Sequence, residues 1–147
     1  PFLRFIVETF EKFSSIIFMN DDDNSGQSSI SADADFEFEA VEPSYIPEGF
    51  VLDSKIEDSV GFQAFYINKN NSLSILYMQM VNNKSVFQVD TQNTNYEKIL
   101  VNNYEAIYYS NKGENNIIFN TDLYVFTISS SINKDELIKI AESIKIP

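Results

Sequence analysis

Three stretches of this chain are apolar on both sides of a β-pleat, and this constrains its fold more than any other feature. In residues 73–80, Leu73, Ile75 and Tyr77 share one parity while Leu76, Met78 and Met80 share the other. In 122–128, Leu123 and Val125 oppose Tyr124, Phe126 and Ile128; in 104–109, Ile107 and Tyr109 oppose Tyr104, Ala106 and Tyr108. Successive side chains of a strand point to opposite faces, so a sheet with one wet face would alternate apolar and polar residues. Here both faces need cover. Strands are predicted over 36–41, 50–57, 61–68, 73–81, 85–90, 96–101, 104–110, 115–119 and 122–130, with a Pro- and Gly-punctuated corner over 43–50. Asn68 to Asn71, Asn82-Asn83-Lys84, Asn102-Asn103 and Asn111-Lys112-Gly113 supply turn residues that tolerate positive φ. Such short connections predict antiparallel neighbours in a meander rather than βαβ units.

Two amphipathic helices are available as cover. At the C-terminus, Leu137, Ile140, Ala141 and Ile144 recur at helical spacing, Asn133 is placed as an N-cap, and Glu136 is positioned to close a capping box. Asp135 and Glu136 lie in the first turn and Lys139 and Lys145 later, as the helix dipole favours. At the N-terminus, residues 1–18 carry Phe2, Phe5, Ile6, Phe10, Phe13 and Ile17 on one face and Arg4, Glu8, Glu11 and Lys12 on the other. Residues 19–35 read as a flexible acidic linker. The expected architecture is therefore α+β: one domain over 36–147, an antiparallel meander-type sheet with the C-terminal helix packed on one face. The N-terminal helix is the expected cover for the other face, docked on its own sheet, or on a neighbouring copy, or displaced by a protein partner or an apolar ligand.

The chemistry open to the chain is narrow. It holds no His and no Cys, which removes Ser-His and Cys-His nucleophile pairs and thiolate zinc sites. The four glycines are scattered and none opens a helix as a phosphate loop would. Asp21, Asp23, Ser25 and Gly26 resemble the start of a calcium loop, but Ala32 stands where the bidentate Glu belongs and Ser28 at the usual apolar position. No metal ligands, cofactor-binding residues or catalytic residues are assigned, and no cofactor is expected; ligand-binding residues stay unassigned. A carboxylate-based hydrolase is the enzymatic alternative, with Asp53, Glu57, Asp58, Asp90, Glu97, Glu105 and Asp122 in or near strands. A net charge of −12 repels nucleic acid and anionic lipid. No 18-residue apolar run is present, so nothing here spans a bilayer, and the opening at Pro1 without an initiating Met is expected of an excised fragment whose upstream sequence is missing.

One ordered set of fragments is familiar. Tyr45-Ile46-Pro47-Glu48-Gly49-Phe50-Val51-Leu52 resembles the opening signature of the family called domain of unknown function 4367, bacterial extracytoplasmic domains. The later fragments come in the family's order: Phe65-Tyr66, Ile75-Leu76-Tyr77-Met78-Gln79, Asp90, Val101 to Ala106, Ile117-Ile118-Phe119, Leu123 to Ile128 and Asp135 to Ile146. The resemblance spans about residues 43–146, and Phe119 stands where the pattern has Trp. It implies a domain displayed outside the cell membrane behind a transmembrane anchor, in some members part of an anti-sigma or sensor protein. It implies no catalytic residues. The Ile-, Asn- and Lys-rich composition suits a Gram-positive source. The functional expectation is a non-catalytic extracytoplasmic sensing or binding module; a purely structural assembly domain is a further alternative.

Overall fold

The computed structural model describes residues 36–82 and 96–147. They form strands β1 (Phe50–Glu57), β2 (Gly61–Asn68), β3 (Ser74–Val81), β4 (Tyr96–Val101), β5 (Tyr104–Asn111), β6 (Glu114–Asn120) and β7 (Tyr124–Ser130), then helix α1 (Lys134–Glu142). The expected N-terminal helix, the linker and the strand at 85–90 fall outside the described residues. The seven strands make one wholly antiparallel sheet in the order β1-β2-β3-β7-β6-β5-β4.

The order corrects the simple meander. β1-β2-β3 and β4-β5-β6-β7 each run as a meander, but β4 lies at the far edge and β3 pairs with β7 instead. A tight turn dictates adjacency only where it occurs, and 14 residues separate Val81 at the end of β3 from Tyr96 at the start of β4. Two of the expected turns take positive φ at the expected residues, while the β2–β3 turn does so at Ser72, one residue beyond Asn68 to Asn71. Asn102 and Asn103, at φ 48° and 72°, join β4 to β5, and Lys112 and Gly113, at 52° and 84°, join β5 to β6. Two successive positive φ values give a hairpin the twist its strands need. At β7 the strand starts later than expected: the Thr121 hydroxyl accepts from the Tyr124 N–H at 3.1 Å, which leaves Asp122 and Leu123 in an exposed turn.

One sheet face gathers Phe62, Ala64, Tyr66, Ile75, Tyr77, Gln79, Tyr124, Phe126, Ile128, Ile117, Phe119, Ala106 and Val101, all buried. Phe119 stacks on Phe126 at 5.0 Å, and Tyr104 and Tyr124 flank that pair at 6.2 and 6.1 Å, so aromatic rings run across three adjacent strands. Helix α1 packs over β6, β7 and β4 on this face. Its Leu137, Ile140 and Ala141 are fully buried, and Ile144 just beyond it is 3% exposed. The Asn133 side chain accepts from the Glu136 N–H at 2.9 Å, the expected N-cap. The reciprocal half of the capping box does not form, because the Glu136 carboxylate is engaged elsewhere. Lys134 sits 4.9 Å above the Tyr108 ring and 2.6 Å from Glu97, which holds the first turn to β4 and β5. Ile140→Ala is expected to cost about 2–5 kcal/mol in urea unfolding, since it opens a cavity between helix and sheet.

Candidate interaction site

The site that sets this domain apart is built where its N-terminal side meets the sheet. The alternation in residues 36–41 is real: Phe38 and Ala40 turn inward and Glu37 and Glu39 outward. The segment nevertheless joins no strand ladder. It is an extended strap lying over the buried sheet face, where its neighbours are side chains rather than another backbone. Those side chains take over the role of a strand. Gln79 Oε1 accepts from the Val41 N–H at 2.8 Å, and Gln79 Nε2 donates to the Glu39 carbonyl at 2.8 Å. The Tyr77 hydroxyl donates to the Val41 carbonyl at 2.6 Å, and the Tyr124 hydroxyl accepts from the Glu39 N–H at 2.9 Å. Phe38 meets the Tyr124 ring edge-on at 5.4 Å. Tyr77 and Gln79 are fully buried and Tyr124 is 2% exposed. Burial, reinforced by Tyr66 and Glu42, pushes the Tyr77 hydroxyl far above the ordinary tyrosine range, so it stays a donor. Burial first and Glu42 second raise Tyr66 as well.

The corner that follows ties strap, sheet and helix together. Pro43 is buried, and the Ser44 hydroxyl donates to the Ser143 carbonyl at 2.8 Å, at the C-cap of α1. The Tyr45 hydroxyl donates to Glu136 Oε2 at 2.6 Å, while Lys139 approaches Glu136 Oε1 at 3.3 Å. This hydrogen bond is the main reason the Glu136 carboxyl lies below its ordinary range and the Tyr45 hydroxyl above its own. Gly49 turns the chain into β1 at φ 92°, and a Cβ there would lie 2.7 Å from the Asn68 side-chain nitrogen. Asn68 cannot give way freely, because its own N–H, carbonyl and Oδ1 close the β2–β3 turn onto Leu73, Ser72 and Asn70. The glycine of Pro47-Glu48-Gly49-Phe50 is thus required by backbone conformation and by space.

The carboxylates singled out from the sequence do not converge. Asp53 and Glu57 lie on β1 and Glu97 on β4, the two opposite edges, roughly 25–30 Å apart along the sheet at the usual strand spacing. Asp58 is spent on the β1–β2 turn, accepting from the Val60 and Gly61 N–H groups at 2.9 and 2.8 Å. Glu105 is exposed on β5, Asp122 is exposed before β7, and Asp90 is outside the described residues. Glu114, which the sequence reading did not single out, behaves differently. Its Oε2 is buried without a hydrogen-bond partner, and burial holds its pKa above the ordinary range. Directly after Lys112-Gly113 it reads as a solvated hairpin residue, so no sequence signal marked it. Among the described residues, no group of three or more acidic side chains is placed to hold a metal ion.

An antiparallel sheet carrying a C-terminal helix and a strap on one face is the class that this geometry defines. The family model described as "Domain of unknown function (DUF4367)" matches residues 40–144, and the chain belongs to that family. The matched span begins inside the strap and ends just past α1, so the family unit includes the clamp on Val41 and the Tyr45–Glu136 tie. No curated protein matches the chain.

Two outcomes test this construction. Gln79→Leu keeps the volume but strips partners from the Val41 N–H and the Glu39 carbonyl. It is expected to cost about 2–4 kcal/mol, and hydrogen exchange should show the Val41 amide losing protection while the α1 amides keep theirs. Tyr45→Phe tests the tie. A carboxyl whose folded pKa is depressed contributes stability that is present above its unfolded value and lost as pH falls through the folded one. Tyr45→Phe should therefore lower the melting temperature at pH 7, and the gap from wild type should narrow as pH falls below about 4.5.

Proposed function

We propose that this domain is a non-catalytic sensing or binding module, carried outside the cytoplasm by an anchor upstream of residue 1 in the intact protein and acting through a protein partner or an apolar ligand. The observation that carries the reading is the strap. The chain arriving from the N-terminal side is gripped through its main chain by Tyr77, Gln79 and Tyr124 in the centre of the sheet, and next by both ends of α1. Displacement of the sheet or helix by a partner would therefore loosen the grip on residues 39–45 at the N-terminal side of the domain. The absence of His and Cys from the whole chain supports the non-catalytic part of the reading.

Placement is tested in the full-length protein. Lys112 lies exposed on the β5–β6 turn, and the chain has no native thiol, so Lys112→Cys introduces a single reporter into this domain. A membrane-impermeant maleimide should label that thiol on intact cells. Labelling only after lysis would overturn the extracytoplasmic reading.

A further inference from the structure

The β1 edge carries a second inference, independent of the strap. Among the described residues β1 is hydrogen-bonded to β2 on one side only, and Val51 to Glu57 are all exposed, with Ile56 67% exposed. A strand edge of this kind is a template for another strand. Natural edges are commonly protected by charges and bulges, and β1 has both: a bulge lies between Leu52 and Ser54, at Asp53, and Lys55 and Glu57 follow it. These charges repel a generic strand, but their spacing makes them complementary to themselves.

Beyond the bulge, Ser54 to Glu57 pair in unbroken register with Phe65 to Phe62. The Asp58 N–H bonds the Gly61 carbonyl at 2.9 Å, so alternate residues Ile56 and Ser54 direct their main-chain groups toward β2. Lys55 and Glu57 direct theirs outward. An antiparallel partner related by a two-fold axis through Ile56 sets Lys55 opposite Glu57 of the second copy, and Glu57 opposite its Lys55. Both pairs close main-chain N–H···O bonds, four in all, and both ion pairs lie on the sheet face that carries Ala64 and Phe62. Ile56 meets its own counterpart on the other face at the narrow spacing of a non-hydrogen-bonded pair, about 4.5 Å between Cα atoms. An axis through Lys55 or through Glu57 would stack like charges instead. The other edge offers no such match: Glu97 and Lys98 are adjacent on β4 and point to opposite faces, so no two-fold sets one opposite the other.

We propose that β1 joins two copies of this chain into a two-fold dimer, with Ile56 on the axis and reciprocal Lys55–Glu57 pairs on either side. In the single copy Lys55 rests 3.6 Å from Glu42, an ion pair exposed on both partners and therefore cheap to exchange. The test is sedimentation of the 147-residue chain over a concentration series. Wild type should show a monomer–dimer equilibrium. Lys55→Glu and Glu57→Lys should each weaken it at least about tenfold, because each sets like charges opposite each other twice. Circular dichroism should stay unchanged, since both side chains are exposed. Mixing the two single variants should restore association as a heterodimer, because every pair across the axis is then of opposite sign. The double variant Lys55→Glu/Glu57→Lys should restore the homodimer. A wild-type chain that stays monomeric at millimolar concentration, or a dimer that neither single variant weakens, would overturn the proposal.

Discussion

A primary amide buried in the middle of the sheet organises the N-terminal half of this domain. Gln79 is fully buried among Tyr77, Phe126 and Phe62, an environment in which an unpaired amide would be strongly destabilising. It is tolerated because its oxygen and nitrogen meet a backbone N–H and a backbone carbonyl two residues apart on the strap. The dependence is mutual: among the described residues the strap pairs with no neighbouring strand, and the main-chain groups of Val41 and Glu39 are met by Gln79, Tyr77 and Tyr124. Their satisfaction fixes where the chain crosses the sheet, and so where Pro43, Ser44 and Tyr45 reach α1.

Two covers share one sheet face. Helix α1 lies over β4, β6 and β7 and buries Leu137 and Ile140, while the strap lies over β3 and β7 and presents Phe38 to Tyr124. The row of rings from Tyr104 through Phe119 and Phe126 to Tyr124 passes beneath both. Tyr45 and Ser44 bridge the covers, so the face is closed by an assembly of three chain segments rather than by a single layer. Tyr45 to Leu52, the stretch that resembles the family's opening signature, starts at this junction, and its glycine and its tyrosine have separate physical tasks there.

Local chemistry was legible in the sequence, and long-range placement was not. The strands at 50–57, 61–68 and 96–101, the two-residue turn at Asn102-Asn103, the Asn133 cap and the buried stripe of α1 follow from patterns that act within a few residues. So do the family fragments, each of which is a local string. The position of β4 is not legible because the connection from β3, from Val81 to Tyr96, is too long to dictate adjacency. The strap was read as a strand because an extended chain alternates in the same way whether its partners are backbones or side chains. Gln79 stands in the sequence only as the last residue of a family fragment, since nothing local distinguishes a solvated amide from one that clamps a backbone. Glu114 was missed for the same reason, a charged residue beside a hairpin turn being ordinary. Of the two sheet faces, both of which the sequence required to be covered, the described residues account for the one bearing α1 and the strap.

The strand order also shapes how the domain can fold. Within β1-β2-β3 and within β4-β5-β6-β7 each pairing joins chain neighbours through a short turn, so either group can zip locally at small entropic cost. The seam between them, where Ile75 lies opposite Ser130 and Val81 opposite Tyr124, brings together positions 55 and 43 residues apart. It must close before Gln79 has Phe126 beside it or the strap has Tyr124 and Gln79 together to bind. Closure of that seam is the step of highest contact order among the described strands, and it stands as the natural nucleation barrier. Changes along β3 and β7, whose pairing is made in that step, then act on the rate of folding.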